Sequence, residues 1–182
     1  MCGILFVQSK KKKSAVKPLL KRFRNQEGRG TDGFGYVSIA LDGTVSEIIR
    51  ATEEKDIIAA LNNENSAAIL MHHRAPTSLP NYEGATHPFY VKDARFKYDY
   101  IVVHNGVIRN YELMYADFKK DGCVFMSEMK SSTTHKFVNT EEWYEFDEKT
   151  TVNDSEVFAF DLAKNLEDKA TFIRSAGTIA FI

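Results

Sequence analysis

Apolar residues along this chain come in two patterns, short continuous runs and runs spaced by three and four positions, and the two alternate. The opening Cys2-Gly3-Ile4-Leu5-Phe6-Val7 is short and almost wholly apolar, which predicts a buried strand. Val16, Leu19, Leu20 and Phe23 then recur at helical spacing and predict a helix over 15–25. Pro18 falls early in it, where a first turn tolerates a missing N–H. The glycine-dense segment 28–35 reads as a loop before a strand over 36–40, and Asp42-Gly43 predicts a hairpin turn into 44–49. A helix over 55–61 leads to a buried strand over 67–71 that runs out into His72-His73-Arg74.

Residues 75–87, with Pro76, Pro80, Asn81 and Gly84, read as a loop. A strand over 100–104 is broken by the Asn105-Gly106 turn. A helix over 110–120 follows, with Asn110 as its cap and Leu113, Met114 and Phe118 on one face. The stretch 129–152 is polar and aromatic, carrying His135, Phe137, Trp143, Tyr144 and Phe146, and its partial alternation predicts an inserted hairpin. Val157, Phe158, Phe160, Leu162 and Leu166 suit a helix over 155–166, and 177–182 reads as a final apolar strand. Strands covered by helices imply a layered α+β protein, and 182 residues without a linker or repeat imply a single domain.

Composition narrows the partners. With 43% hydrophobic and 27% charged residues the chain has ordinary globular proportions. A net charge of −1 supplies no field for nucleic acid, and Lys10-Lys11-Lys12-Lys13 reads as a solvated loop. No run approaches the roughly 20 apolar residues of a membrane span, and the start lacks the basic region and cleavage site of a signal peptide. The expectation is a cytoplasmic protein that binds neither nucleic acid nor membrane. Cys2 and Cys123 are too few for a disulfide framework or a thiolate zinc set, and a bond between them would block the Cys2 sulfur.

Position makes Cys2 the first chemical candidate. Its small size favours removal of Met1, which would put a thiol and a free α-amine on one residue. Their reference pKa values, about 8.5 and about 7.7–8.0, let the neutral amine take the thiol proton near physiological pH. This is the activation used by N-terminal nucleophile enzymes; the competing reading is a small core cysteine. Asn105-Gly106 ends a buried strand, and its side-chain amide and backbone N–H could aim two donors at an oxyanion, although the same pair also makes an ordinary turn. Arg74 suits a carboxylate and Asp154 an ammonium, together the two ends of a free amino acid, while either alone is also a common surface charge. His72, His73, His87 and His104 invite a metal reading. The first two, however, point to opposite faces of a strand, so structural histidines are expected and neither a metal nor a cofactor is.

Six segments stand in one order across residues 1–160: Met1-Cys2-Gly3-Ile4, Arg29-Gly30-Thr31-Asp32-Gly33-Phe34-Gly35, His72-His73-Arg74-Ala75-Pro76-Thr77, His87-Pro88, Val103-His104-Asn105-Gly106-Val107-Ile108 and Asn153-Asp154-Ser155-Glu156. In this order they resemble the class II glutamine amidotransferases, the N-terminal nucleophile glutaminase family. The likeness is to the glutaminase half of glucosamine-6-phosphate synthase and amidophosphoribosyltransferase. The resemblance implies a four-layer αββα fold with two stacked antiparallel sheets between helices. It implies that Cys2 is the nucleophile, its own amine the base, and Asn105 with Gly106 the oxyanion hole. Arg74, Ala75 and Thr77 would line the carboxylate end of glutamine and Asp154 its amino end. Arg29, Gly30, Gly35 and His87 would support the nucleophile.

Two substitutions depart from the family pattern: Ala75 stands where a bulky aromatic is usual, and Ser78 where relatives often carry histidine. The 129–152 insert lengthens the approach to Asp154. No acceptor domain follows Ile182 in the sequence, so a separate synthase protein is expected to take the ammonia. Two alternatives stay open: an amide hydrolase acting on another γ-glutamyl compound or a peptide, and a non-catalytic module on the same fold.

Overall fold

The computed structural model describes residues 2–9, 15–75, 83–136, 143–168 and 177–178. One layer is a four-stranded antiparallel sheet in the order β1 (Gly3–Gln8), β4 (Ala68–Arg74), β2 (Gly33–Ile39) and β3 (Ile49–Ala51). Side chains alternate across it, as the pleat requires. Leu5, Phe34, Tyr36, Ile69 and Met71 bury one face against helices α1 (Val16–Phe23) and α2 (Glu54–Asn62), with Leu19, Phe23, Ile57 and Leu61 filling the space between. Ile4, Val37 and Leu70 point the other way, to Val103 and Ile101 of the second layer. The central strand β4 is buried at every position because both of its faces are covered, which is why its sequence is continuous rather than alternating.

The second layer consists of short antiparallel pairs, β5 (Phe89–Val91) with β6 (Tyr100–Val102) and β7 (Val107–Ile108) with β10 (Gly177–Thr178). Helices α3 (Tyr111–Lys120) and α4 (Asp154–Glu167) cover it through a core that includes Phe89, Val102, Ile108, Met114, Phe118, Val157 and Phe158. Helices, sheet, sheet, helices is the αββα order. The segment expected as an insert contains a hairpin, β8 (Met129–Lys136) against β9 (Trp143–Thr151), with a register irregularity between Ser132 and Thr133. Among the described residues no helix is long and apolar enough to cross a membrane.

Four local expectations change. A 3-10 turn over Arg24–Arg29 occupies part of the expected glycine loop, and the strand after it begins at Gly33, not Tyr36. Gly33 and Gly35 are paired strand residues, opposite Arg74 and His72. The Asp42-Gly43 turn forms, with Gly43 at φ 88 and Thr44 N donating to Asp42 Oδ1 at 2.9 Å. Its second arm, however, pairs only at Val45 and again over Ile49–Ala51. Leu113 is 75% exposed, since α3 buries the stripe through Met114 and Phe118 instead. Asn110 occupies the cap position of α3 without a side-chain capping bond. The Lys10–Lys13 run, Thr77 and Ser78, the insert's aromatic side chains and the end of the last strand lie outside the described residues.

Candidate active site

Strand alternation brings the site together. Cys2 precedes β1 in phase with Ile4, and Arg74 follows His72 and Leu70 on the inner face of β4; both project between the sheets. One cavity of about 40 Å³ is lined by Cys2, Arg74, Ala75, Gly106 and Asp154, together with His72, His87, His104, Asn153 and Ser155. The structure thus gathers Cys2, Arg74, Ala75, Gly106, Asp154 and His87 around one space. Arg29, Gly30, Gly35 and Asn105 lie behind it. Thr77 falls outside the described residues.

Cys2 is held at both ends. Its carbonyl accepts hydrogen bonds from Asn105 Nδ2 at 3.0 Å and from Arg29 Nε at 3.3 Å. Its sulfur lies against the Ala75 backbone, 3.4 Å from the nitrogen and 3.5 Å from the oxygen. One N–H of the Asn105 amide is therefore committed to Cys2 itself, a contact the sequence did not foretell; a primary amide carries a second.

Glycines set the spacing of these elements. A Cβ on Gly30 would come within 2.6 Å of the Arg74 backbone. One on Gly35 would lie 2.0 Å from the His87 carbonyl oxygen, so the loop carrying His87 can land on β2 only at a residue without a side chain. Arg50 fixes the same loop from the side, donating to Thr86 O at 2.6 Å and Pro88 O at 2.8 Å across a cis His87-Pro88 bond. Backbone on backbone has no easy relief, so Gly35→Ala is expected to cost about 3 kcal/mol. Thermal denaturation would show a fall in Tm of roughly 6–12 °C for a chain of this size. Gly28→Ala is the control, because nothing lies within 4 Å of its added carbon.

Burial rather than ligation governs the histidines. His72 stacks on His87 with ring centroids 4.2 Å apart on the inner face, while His73 packs between Phe23 and Phe34 on the outer one. Burial, reinforced by the charges of His73, Arg74 and His104, pushes His72 down to about 3. Burial takes His73 to about 4 and His87 well below the ordinary imidazole range. All three are neutral near pH 7. Among the described residues no group of three or more His, Cys, Asp or Glu side chains could hold a metal ion.

Asp154 opens α4, and its Oδ2 accepts from Ile108 N at 2.7 Å. Asn153 caps the helix, its side-chain oxygen accepting from Ser155 N at 2.9 Å. Ser155 Oγ meets His104 Nδ1 at 2.8 Å. Asn153, Ser155 and Arg50 were not singled out as site residues from the sequence. A polar cap ahead of an apolar helical run marks Asn153 and its neighbours, but a lone strand arginine such as Arg50 carries no signal.

No protein-family model matches the chain. It is similar to the isomerizing glutamine–fructose-6-phosphate aminotransferase of Staphylococcus epidermidis, 34% identical over 146 residues, which cover 76% of this chain and 22% of the relative. It is also similar to 7-cyano-7-deazaguanine synthase 2 of Sulfurisphaera tokodaii, 30% identical over 115 residues, covering 59% of this chain and 24% of that one. The chain thus spans under a quarter of the length of these relatives. Its fold matches the glutamine phosphoribosylpyrophosphate amidotransferase of B. subtilis, with a TM-score of 0.62 and 11% identity, over 100% of this chain and 35% of that one. A structure titled as the allosteric regulatory enzyme of purine biosynthesis matches with a TM-score of 0.65 and 12% identity, over the same shares. By sequence and by fold, this chain carries a class II glutamine amidotransferase domain.

Proposed function

We propose that this domain hydrolyses glutamine to glutamate and ammonia through a thioester on Cys2. The observation that supports the reading is the joint lining of one cavity by Cys2, the Arg74 guanidinium, the Asp154 carboxylate and Gly106, with Asn105 behind it holding the Cys2 carbonyl. With Met1 removed, the Cys2 amine takes the thiol proton and the sulfur attacks the carboxamide carbon. The second Asn105 N–H and the Gly106 N–H bind the oxyanion as it forms. Arg74, with Ala75 and Thr77 beside it, receives the α-carboxylate and Asp154 the α-ammonium. The amine returns its proton to the departing ammonia, and water then releases glutamate.

Arg29, Gly30, Gly35 and His87 shape the support behind the nucleophile. The described elements act as one glutaminase unit, with 129–152 as an insertion. A separate synthase protein takes the ammonia, and the free thiol suits a reducing cytoplasm.

Intact-mass measurement after exposure to a glutamine-shaped electrophile tests the assignment. The expected result is a chain lacking Met1 that gains one label, with no label on Cys2→Ala. Retained Met1 together with an unlabelled thiol sinks the reading and favours a non-catalytic module. Ala75, small and in contact with the sulfur, supports a second reading in which a bulkier γ-glutamyl amide is the substrate. A higher kcat/KM on such an amide than on glutamine would select it.

A further inference from the structure

The insertion and the substrate pocket meet at one buried carboxylate. Glu156, 2% exposed, sits in the first turn of α4 and accepts hydrogen bonds from Met126 N at 2.8 Å, Ser127 N at 2.9 Å and Ser127 Oγ. Ser127 Oγ accepts in turn from Asn153 N at 2.9 Å. Asn153 caps the helix through Ser155 N and reaches across to Ala85 O at 2.9 Å with its Nδ2. Asp154 lies inside this frame, between Asn153 and Ser155, and faces the cavity at Cys2. Residues 126–127 lead directly into the base of the inserted hairpin, where Met129 pairs with Thr151. A carboxylate with two backbone N–H groups and a hydroxyl aimed at it is expensive to replace, because its loss leaves buried donors unpaired.

We propose that Glu156 is a positioning residue for the ammonium end of the pocket: through Ser127 and Asn153 it fixes the first turn of α4, and so the place where the Asp154 carboxylate meets the substrate's α-ammonium. The proposal rests on the glutaminase reading above. Glu156 itself lines no part of the cavity, so its effect reaches the substrate only through Asp154. A positioning role of this kind weakens substrate binding more than turnover, and it depends on the substrate's amine.

The experiment compares wild type, Glu156→Gln and Ser127→Ala on glutamine and on glutaramate, the same carboxamide acid without the α-amine. Glu156→Gln replaces one of the two acceptor oxygens with an NH2 that faces other donors; Ser127→Ala removes only the hydroxyl that joins Glu156 to Asn153 and serves if the first variant fails to fold. Both are expected to raise KM for glutamine, by on the order of tenfold for Glu156→Gln, with kcat within about twofold of wild type. On glutaramate their kcat/KM is expected to stay near the wild-type value. An unchanged KM for glutamine, or an equal loss on both substrates, overturns the positioning role. A wild type that releases no glutamate sinks the glutaminase reading, and this proposal with it, before any variant is compared.

Discussion

Cys2→Ala is expected to release no measurable glutamate from glutamine, a loss of at least about 10⁴-fold in kcat, with little change in Tm. The sulfur makes only weak contacts with the Ala75 backbone, so removing it costs little packing. The hydrogen bonds that hold this residue from Asn105 and Arg29 go to its carbonyl, which alanine keeps. Chemistry and folding therefore separate cleanly at this position. Asn105→Ala is expected to lower kcat by about 10²–10³-fold, the usual cost of one oxyanion donor, and to loosen Cys2 as well. Steady-state glutamate release and thermal denaturation, measured on the same preparations, check both variants. Full activity in Cys2→Ala would move the nucleophile elsewhere.

Acid is expected to unfold this protein well above the pH at which its carboxylates titrate. The unfolded chain takes up a proton on His72, His73 and His87 near pH 6.5, whereas the folded chain holds His72 to about 3, His73 to about 4 and His87 well below the ordinary value. The stability these groups contribute is complete above pH 6.5 and is lost as pH falls toward the folded values. At pH 5 the loss is about 2 kcal/mol for each of His72 and His73, or about 4 kcal/mol for the two, and His87 acts in the same direction. That is a large share of the stability of many domains. Glu156, raised by burial against the pull of its hydrogen bonds, acts in the opposite sense and offsets part of this loss at lower pH. Denaturant titration from pH 7.5 to 5 measures the effect. His73→Phe, placed between Phe23 and Phe34, is expected to reduce the proton uptake on unfolding by about one. A stability flat between pH 7 and 5 would refute the account.

What the amino-acid order disclosed was mostly what periodicity controls. Strand β4 reads as a continuous apolar run because it is covered on both sides, and α4 announces itself through Val157, Phe158 and Phe160. The opposed directions of His72 and His73 follow from the two-residue repeat of a strand. The pattern could not show that Gly33 and Gly35 are strand residues, since glycine is the usual signature of a loop and its use here depends on a loop some fifty positions later. Leu113 was misplaced because α3 buries only a narrow stripe, which spacing of three and four leaves ambiguous. At the candidate site, chemistry and order singled out Cys2, Arg74, Gly106 and Asp154, which line one cavity. Arg50, Ser127 and the hold of Asn105 on the Cys2 carbonyl were not legible, because each depends on distances between segments far apart in the chain.

Strand β4 sends Arg74 and His72 inward and His73 outward from three consecutive positions. A change of residue type there acts at one position, but a change in length does not. Removing a single residue upstream of His72 within the strand would exchange the two faces, turning the guanidinium toward Phe23 and an aliphatic side chain toward the thiol. This stretch therefore accepts no insertion or deletion of one residue, and libraries built to diversify the domain should hold its length constant.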